Sequence, residues 1–353
     1  MSIIDSKNHI SSRAQLADLL KGIAVLLMIQ VHIIELFATN SISKSYTGKV
    51  LMFLGGVPVA PVFAFVLGYF LASSNKSKKQ LIVRGLKLFA LGMLLNIALN
   101  FNLILSIAKG LYKIDRLPYI LGLDILQFAG ISIILVALLK KIIEQSIFFT
   151  LACCFVSAFL GHYLLNYIPN NEFLLYLSSL FYGSSKWSYF PQCPWLAYPL
   201  VGIAFYQIKH RFDFSVLKDA KLWFPMVALC ILFLAFTMHY AVSISSQLPL
   251  YYHHGIKFFL WTVLFLSFYS FFANEINKLN GNTIVLNYIK WLGKNVTVMY
   301  FIQWVIIGNI ATEIYKTITD PFYLILYFLG IVLISSCLCY ATVKVRERLT
   351  KAS

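Results

Sequence analysis

The stretch RAQLADLLKGIAVLLMIQVHIIELFATN, residues 13–40, decides how the chain is read. From Leu16 to Thr39 it is mostly apolar, and a helix over those positions rises about 36 Å, enough to cross a hydrocarbon core about 30 Å thick. It is too long for the hydrophobic region of a cleavable signal, and no A-x-A-like site follows it, so the segment is expected to stay in the protein. Four ionisable side chains interrupt it in a pattern: Asp18 and Lys21 early, His32 late and Glu35 one helical turn beyond His32.

Similar apolar runs recur to the end of the chain. Of 353 residues 60% are hydrophobic and 12% charged, with a mean hydropathy of +0.79; an average soluble domain is about a quarter charged, so a water-soluble fold is excluded. The runs predict ten membrane helices, at 16–39, 48–72, 81–101, 117–138, 143–166, 193–208, 221–244, 255–276, 287–313 and 321–343. The expected fold class is therefore all-α, a polytopic bundle that fills residues 1–353 as one integral-membrane domain. No internal repeat or low-complexity linker marks a second one.

Charge sets the expected orientation. The formal net charge is +16, from 29 Lys+Arg against 13 Asp+Glu. These cations lie between apolar runs rather than on one soluble face, so nucleic acid is not an expected partner. Ten spans place 20 basic residues on the side of the N-terminus and 8 on the other. Positive loops resist translocation, so both termini are expected in the cytoplasm. The six cysteines, Cys153, Cys154, Cys193, Cys230, Cys337 and Cys339, show no metal-ligand spacing and read as small buried hydrophobes; no metal is expected.

Ionisable groups inside spans cost about 2.5–3.5 kcal/mol on insertion scales, so each needs a partner, a wet cavity or a job. His32, Glu35, Asp124, His162 and His239 all fall in the outer half under the expected orientation. His162, His239, His253 and His254 are near span ends, where snorkelling to water accounts for them. His32 is deeper and shares a helical face with Glu35, which suits a general base, because imidazole titrates near working pH. Asp124, in LGLDILQFAG, has two readings: a functional carboxylate, or a hydrogen-bonded one paired with Gln127, Asn96 or Asn100. On the cytoplasmic side Arg13, Lys21, Arg84, Lys87, Lys290 and Lys294 flank the first, third and ninth spans, where cations can hold the phosphates of a nucleotide-like donor. The segment 167–192, with Trp187, Tyr189 and Phe190, reads equally as an interfacial aromatic belt or as the wall of a substrate mouth.

Arg13, then Asp18-Leu-Leu-Lys-Gly22, then His32 resembles the opening of the multi-pass acyltransferase superfamily. That superfamily includes acyltransferase family three and the heparan-α-glucosaminide N-acetyltransferase-like proteins. The resemblance continues in order through GGVPVAPVFAFVLGYFLA at 55–72, IVRGLKLFALGMLLN at 82–96, LPYILGLDILQFAGIS at 117–132, YFPQCPWLAYPLVGI at 189–203 and WLGKNVTVMYFIQW at 291–304. The fifth element is similar to the heparan-acetyltransferase branch in particular. In the last, Thr297 and Gln303 stand near the places of a Ser and a His in many relatives.

What the resemblance implies is transfer of an acyl group, often acetyl, from acetyl-CoA or another acyl-CoA to a hydroxyl or amine of a sugar or other envelope molecule. His32 then matches the first-helix histidine taken as the catalytic base and Asp124 the polar site of the ILG-D-IL element, and either Asp124 or Glu35 is expected to orient the imidazole. Arg13 and Lys21, joined by Arg84 and Lys294, become the donor-binding set. Expected partners are the lipid bilayer, acyl-CoA, a carbohydrate or envelope acceptor and a second copy of the chain; the expected location is a bacterial inner membrane. A proton-coupled transporter or flippase is the alternative, since it would use the same intramembrane His, Asp and Glu as a relay.

Overall fold

A computed structural model describes residues 3–183, 185, 187–211, 220–279 and 283–352, except the side chains of 3–14, 220–223, 226, 279 and 351–352. Helices dominate, and among the described residues the only strand-like pairings are two isolated bridges, Ala38 with Ile318 and Leu123 with Ser188. The first six helices are α1 (Ile3–Leu36), α2 (Asn40–Ser43), α3 (Tyr46–Gly56), α4 (Ala60–Ala72), α5 (Lys78–Leu99) and α6 (Phe101–Ala108). Next come α7 (Leu117–Leu121), α8 (Ile125–Gln145), α9 (Ile147–Tyr163), α10 (Glu172–Ser179), α11 (Gln192–Trp195) and α12 (Ala197–Arg211). The last six are α13 (Ala220–Ser245), α14 (Leu248–Tyr252), α15 (Ile256–Leu279), α16 (Ile284–Lys294), α17 (Val296–Ile314) and α18 (Pro321–Ala352).

The chain folds as two compact units: residues 1–62, 95–116 and 266–353 make the first, and 63–94 with 117–265 make the second. In the first unit α1 packs along α16 so closely that side chains are excluded at the contact. A Cβ on Gly22 would run into the Ile289 carbonyl, and one on Gly293 into the Asp18 carbonyl. Such reciprocal glycines let two helices approach closely enough to gain backbone van der Waals contact. The end of α1 is then tied down: Lys316 N donates to Leu36 O, Ile318 N to Phe37 O and Thr39 N to Ile318 O, at 2.8–3.0 Å. Asn309 on α17 fastens the other side, donating to Ala98 O at 2.8 Å and accepting from Asn102 N at 2.9 Å.

In the second unit α4 and α12 use the same device, with Gly68 against Pro199 and Gly202 against the Phe65 carbonyl. Gln192 is buried and satisfied: its amide accepts from Ser132 Oγ at 2.9 Å and donates to Phe128 O at 3.1 Å. Trp195, fully buried, donates to Tyr252 O at 2.8 Å. The aromatics expected either at an interface or at a mouth thus divide, Tyr189 and Phe190 packing on Tyr252 and Trp187 on Tyr176.

Nine helices among the described residues are long and apolar enough to cross a membrane. They correspond to nine of the ten expected spans. The sixth differs: α12 has 15 residues and rises about 22 Å, short of a full hydrocarbon core. The fourth expected span, 117–138, is broken at 122–124 and runs on to Gln145, because Asp124 starts a new helix. The ninth, 287–313, is two helices meeting at Asn295, and only Val296–Ile314 is a candidate span.

Candidate functional site

His32 lies in the last turns of α1 and faces α17 within the first unit. Its Nδ1 is 3.3 Å from Gln303 Oε1, and its ring stacks on Trp304 with centroids 3.8 Å apart and planes 30° to one another. Gln303 is fully buried, and its own amide nitrogen donates to Tyr300 O at 3.3 Å. That bond orients the amide, so the oxygen faces the imidazole. An acceptor at Nδ1 selects the tautomer protonated there, and Nε2 is left with its lone pair. The indole Nε1–H of Trp304 is buried and has no hydrogen-bond partner among the described residues. A buried N–H without a partner costs about 1–3 kcal/mol, so one held against a histidine ring calls for an explanation.

Glu35, half-buried, is one turn beyond His32 at the end of α1. A cavity of about 610 Å³ adjoins the same turn, walled by Gln30, Ile33 and Ile34 of α1, Leu51 of α3, and Leu324 and Phe328 of α18. Its volume is within the usual range for small-molecule sites, about 300–1,000 Å³.

Asp124 belongs to the second unit. Of its two readings, the structure shows the bond with Gln127. Asp124 is the N-cap of α8; its Oδ1 accepts from Ile125 N at 2.7 Å, and its backbone N–H donates to Gln127 Oε1 at 3.2 Å, a reciprocal capping box. The carboxylate thus faces the positive end of a helix, which stabilises its charge. The preceding residues pair with the segment after α10, Leu123 N donating to Trp187 O at 2.8 Å and Tyr189 N to Leu123 O at 3.0 Å.

The expected cations are divided between the units. Lys21 pairs with Asp18 at 2.9 Å, both largely covered, at the contact of α1 with α16. Lys290 is buried on α16, while Lys294, at the last turn of α16, is exposed. Arg84 and Lys87 are exposed on α5 in the second unit, and the side chain of Arg13 is outside the described residues. His162 is exposed in the last turn of α9, and His239 is exposed on α13.

His254 corrects the expectation that it snorkels to water. It is 2% exposed; its Nδ1 donates to Tyr251 O at 2.7 Å, so Nε2 accepts from Tyr198 Oη at 2.9 Å, and Trp195 covers the ring. Burial pushes His253 and His254 down to about 4, so both are neutral at physiological pH and His254 serves as a bridge between helices.

A many-spanned helical membrane protein whose first crossing presents a histidine, fixed at one nitrogen and covered by tryptophan, is the class this geometry defines. Residues 13–235, more than half the chain, match the family model of the heparan-alpha-glucosaminide N-acetyltransferase catalytic domain. The chain belongs to that family and is a membrane acetyltransferase. No curated protein and no solved structure matches it. His32, Glu35, Asp124, Arg13, Lys21 and Arg84 fall inside the matched residues, whereas Gln303, Trp304 and Lys294 lie beyond them. Sequence reasoning noted Gln303 only as a departure from the histidine of many relatives; the Tyr-x-x-Gln-Trp spacing at 300–304 was the signal that could have placed it beside His32.

Proposed function

We propose that the protein moves an acetyl group from cytoplasmic acyl-CoA to a hydroxyl or amine of a sugar or other cell-envelope acceptor, with His32 as general base. The observation that supports this most is the imidazole held by Gln303 at Nδ1. It keeps Nε2 unprotonated and oriented, as a base needs to be.

In this reading His32 Nε2 takes the acceptor's proton as its oxygen or nitrogen forms a bond to the thioester carbonyl carbon. Trp304 Nε1–H donates to the carbonyl oxygen as negative charge collects there, which gives that unpaired donor its use. The carbon–sulfur bond then breaks, and His32 returns the proton to the leaving sulfur. Glu35, one turn further along α1, is assigned the part of steadying the charge of the imidazolium. Arg13, Lys21 and Lys294, all of the first unit, are the proposed cations for the donor's phosphates, on the cytoplasmic side of an inner membrane.

The family membership supports a transferase over the proton-coupled transporter that the same ionisable residues would allow. His32→Ala in proteoliposomes supplied with labelled acetyl-CoA and a panel of sugar acceptors is expected to lose transfer, by about 10²–10⁴-fold for a general base, while the protein stays folded in the membrane. Turnover at the wild-type rate would remove His32 from the mechanism.

A further inference from the structure

At one end of the second unit a cavity of about 210 Å³ opens between α4, α5, α8 and α12. Its polar wall is Lys140, Glu144, Gln207, His210 and Arg211. Three of these carry or can carry positive charge. Lys140 Nζ donates to Lys76 O at 2.8 Å and is 3.6 Å from Glu144 Oε1. Arg211 closes the C-terminal end of α8 through Nη2, which donates to Glu144 O at 3.0 Å and to Gln145 O at 3.4 Å. Only one of its nitrogens is used there, and the guanidinium has five N–H groups. His210 spends Nδ1 on Tyr206 O at 2.8 Å and keeps Nε2.

Gln207 is the member that an ordinary surface cluster does not explain. It is 7% exposed, its Nε2 donates to Ile143 O, and its Oε1 is buried with no hydrogen-bond partner among the described residues. A buried carbonyl without a donor is costly, and here it belongs to a residue that lines one cavity with Glu144, Lys140, His210 and Arg211. The wall therefore offers donors for an anion and, next to them, acceptors for a hydroxyl or ammonium. A phosphodiester with a hydroxyl a few bonds away satisfies both. The volume is below the range of about 300–1,000 Å³ usual for drug-sized ligands, so a nucleotide does not fit and a lipid headgroup does. The setting agrees: Lys76, Lys78, Lys79, Lys140, Lys141, Lys209 and Arg211 gather at this end of the unit, and a basic pocket between membrane helices attracts anionic headgroups.

We propose that this cavity binds the headgroup of an anionic glycerophospholipid of the phosphatidylglycerol type. Lys140 and Arg211 hold the phosphate, and a glycerol hydroxyl donates to Gln207 Oε1. The bound lipid joins the α8–α9 junction to the end of α12. Binding rather than turnover tests the site.

Delipidated wild-type protein in detergent would be titrated with phosphatidylglycerol, phosphatidic acid, phosphatidylcholine, inorganic phosphate and acetyl-CoA, with bound species read by native mass spectrometry and the thermal midpoint recorded. Retention of phosphatidylglycerol over phosphatidylcholine by at least tenfold, with a raised midpoint, is the expected result. Lys140→Gln/Arg211→Gln should lose that retention, whereas Lys78→Gln/Lys79→Gln, which removes the same charge outside the cavity wall, should keep it. Since Arg211 also caps α8, Gln207→Met is the second variant; wild type should retain phosphatidylglycerol over phosphatidic acid, which lacks the headgroup glycerol hydroxyls, and the variant should bind both without that preference. Equal retention of phosphatidylcholine, equal loss in the two double variants, an unaltered preference in Gln207→Met, saturation by inorganic phosphate alone, or displacement of the lipid by acetyl-CoA would each overturn the assignment.

Discussion

At the scale of single residues, the proposed chemistry rests on His32, Gln303 and Trp304. The imidazole was legible in the sequence, because a histidine so deep in an apolar run needs a reason. Its partners were not, since they are 271 and 272 positions away and only folding brings α17 onto α1. Trp304→Phe keeps a ring to stack on His32 and removes only the N–H. It is expected to lower kcat by about 10²-fold, the usual effect of losing one oxyanion donor, with KM little changed; unchanged kcat in a steady-state assay would leave the indole N–H without a catalytic part. Asp124 offers the opposite case. Asparagine caps helices about as well as aspartate, so Asp124→Asn should leave both the thermal midpoint and turnover near wild type, and Asp124→Ala should cost about 1 kcal/mol. A collapse of turnover in Asp124→Asn with the midpoint intact would give the carboxylate a part in the reaction.

At the scale of helices, close approach rather than length sets the arrangement around the first span. Gly22 and Gly293 let the backbones of α1 and α16 touch, and the Lys21–Asp18 pair sits at that contact. Gly293→Val forces a branched side chain against the Asp18 carbonyl. The expected loss is about 1–3 kcal/mol, typical of overpacking, seen as a lower thermal midpoint in detergent. A midpoint equal to that of wild type would mean that the two helices do not pack this way. The breaks at 122–124 and at Asn295 are also matters of this scale. Hydropathy averages over about 19 residues, so it runs straight through a cap or a one-residue corner. The capping box of α8, Asp124 with Gln127, was written in the sequence at the spacing such boxes use, but lay hidden inside an apolar window.

For the whole molecule the open quantity is the number of crossings, because it fixes which end faces which side. Nine helices qualify by length and composition among the described residues, and α12 is shorter. Yet α12 is largely buried, with Ala197, Tyr198, Leu200, Gly202, Ile203 and Ala204 all inside the second unit. Together with α11 it extends over 192–211, and we count the pair as a shortened tenth crossing. On that count the excess of basic residues, 20 against 8, predicts that both termini are in the cytoplasm. A green fluorescent reporter fused after Ser353 should fluoresce and an alkaline phosphatase fused there should be inactive. The reverse pair of results would place the C-terminus outside and remove α12 from the crossings.

The sequence by itself determined that the chain lives in a membrane, that it is helical throughout, roughly where nine of its spans run, and that His32 is its most unusual side chain. Those properties follow from composition and from short-range order, which a single sequence carries in full. Tertiary structure alone decided which nitrogen of His32 is fixed, which residue fixes it, that Asp124 serves a helix end, that His254 is buried between Tyr198 and Tyr251, and that Gln207 is left without a donor. Each of these depends on what lies across from a side chain, and in a bundle the opposite residue comes from a helix that the linear order does not name.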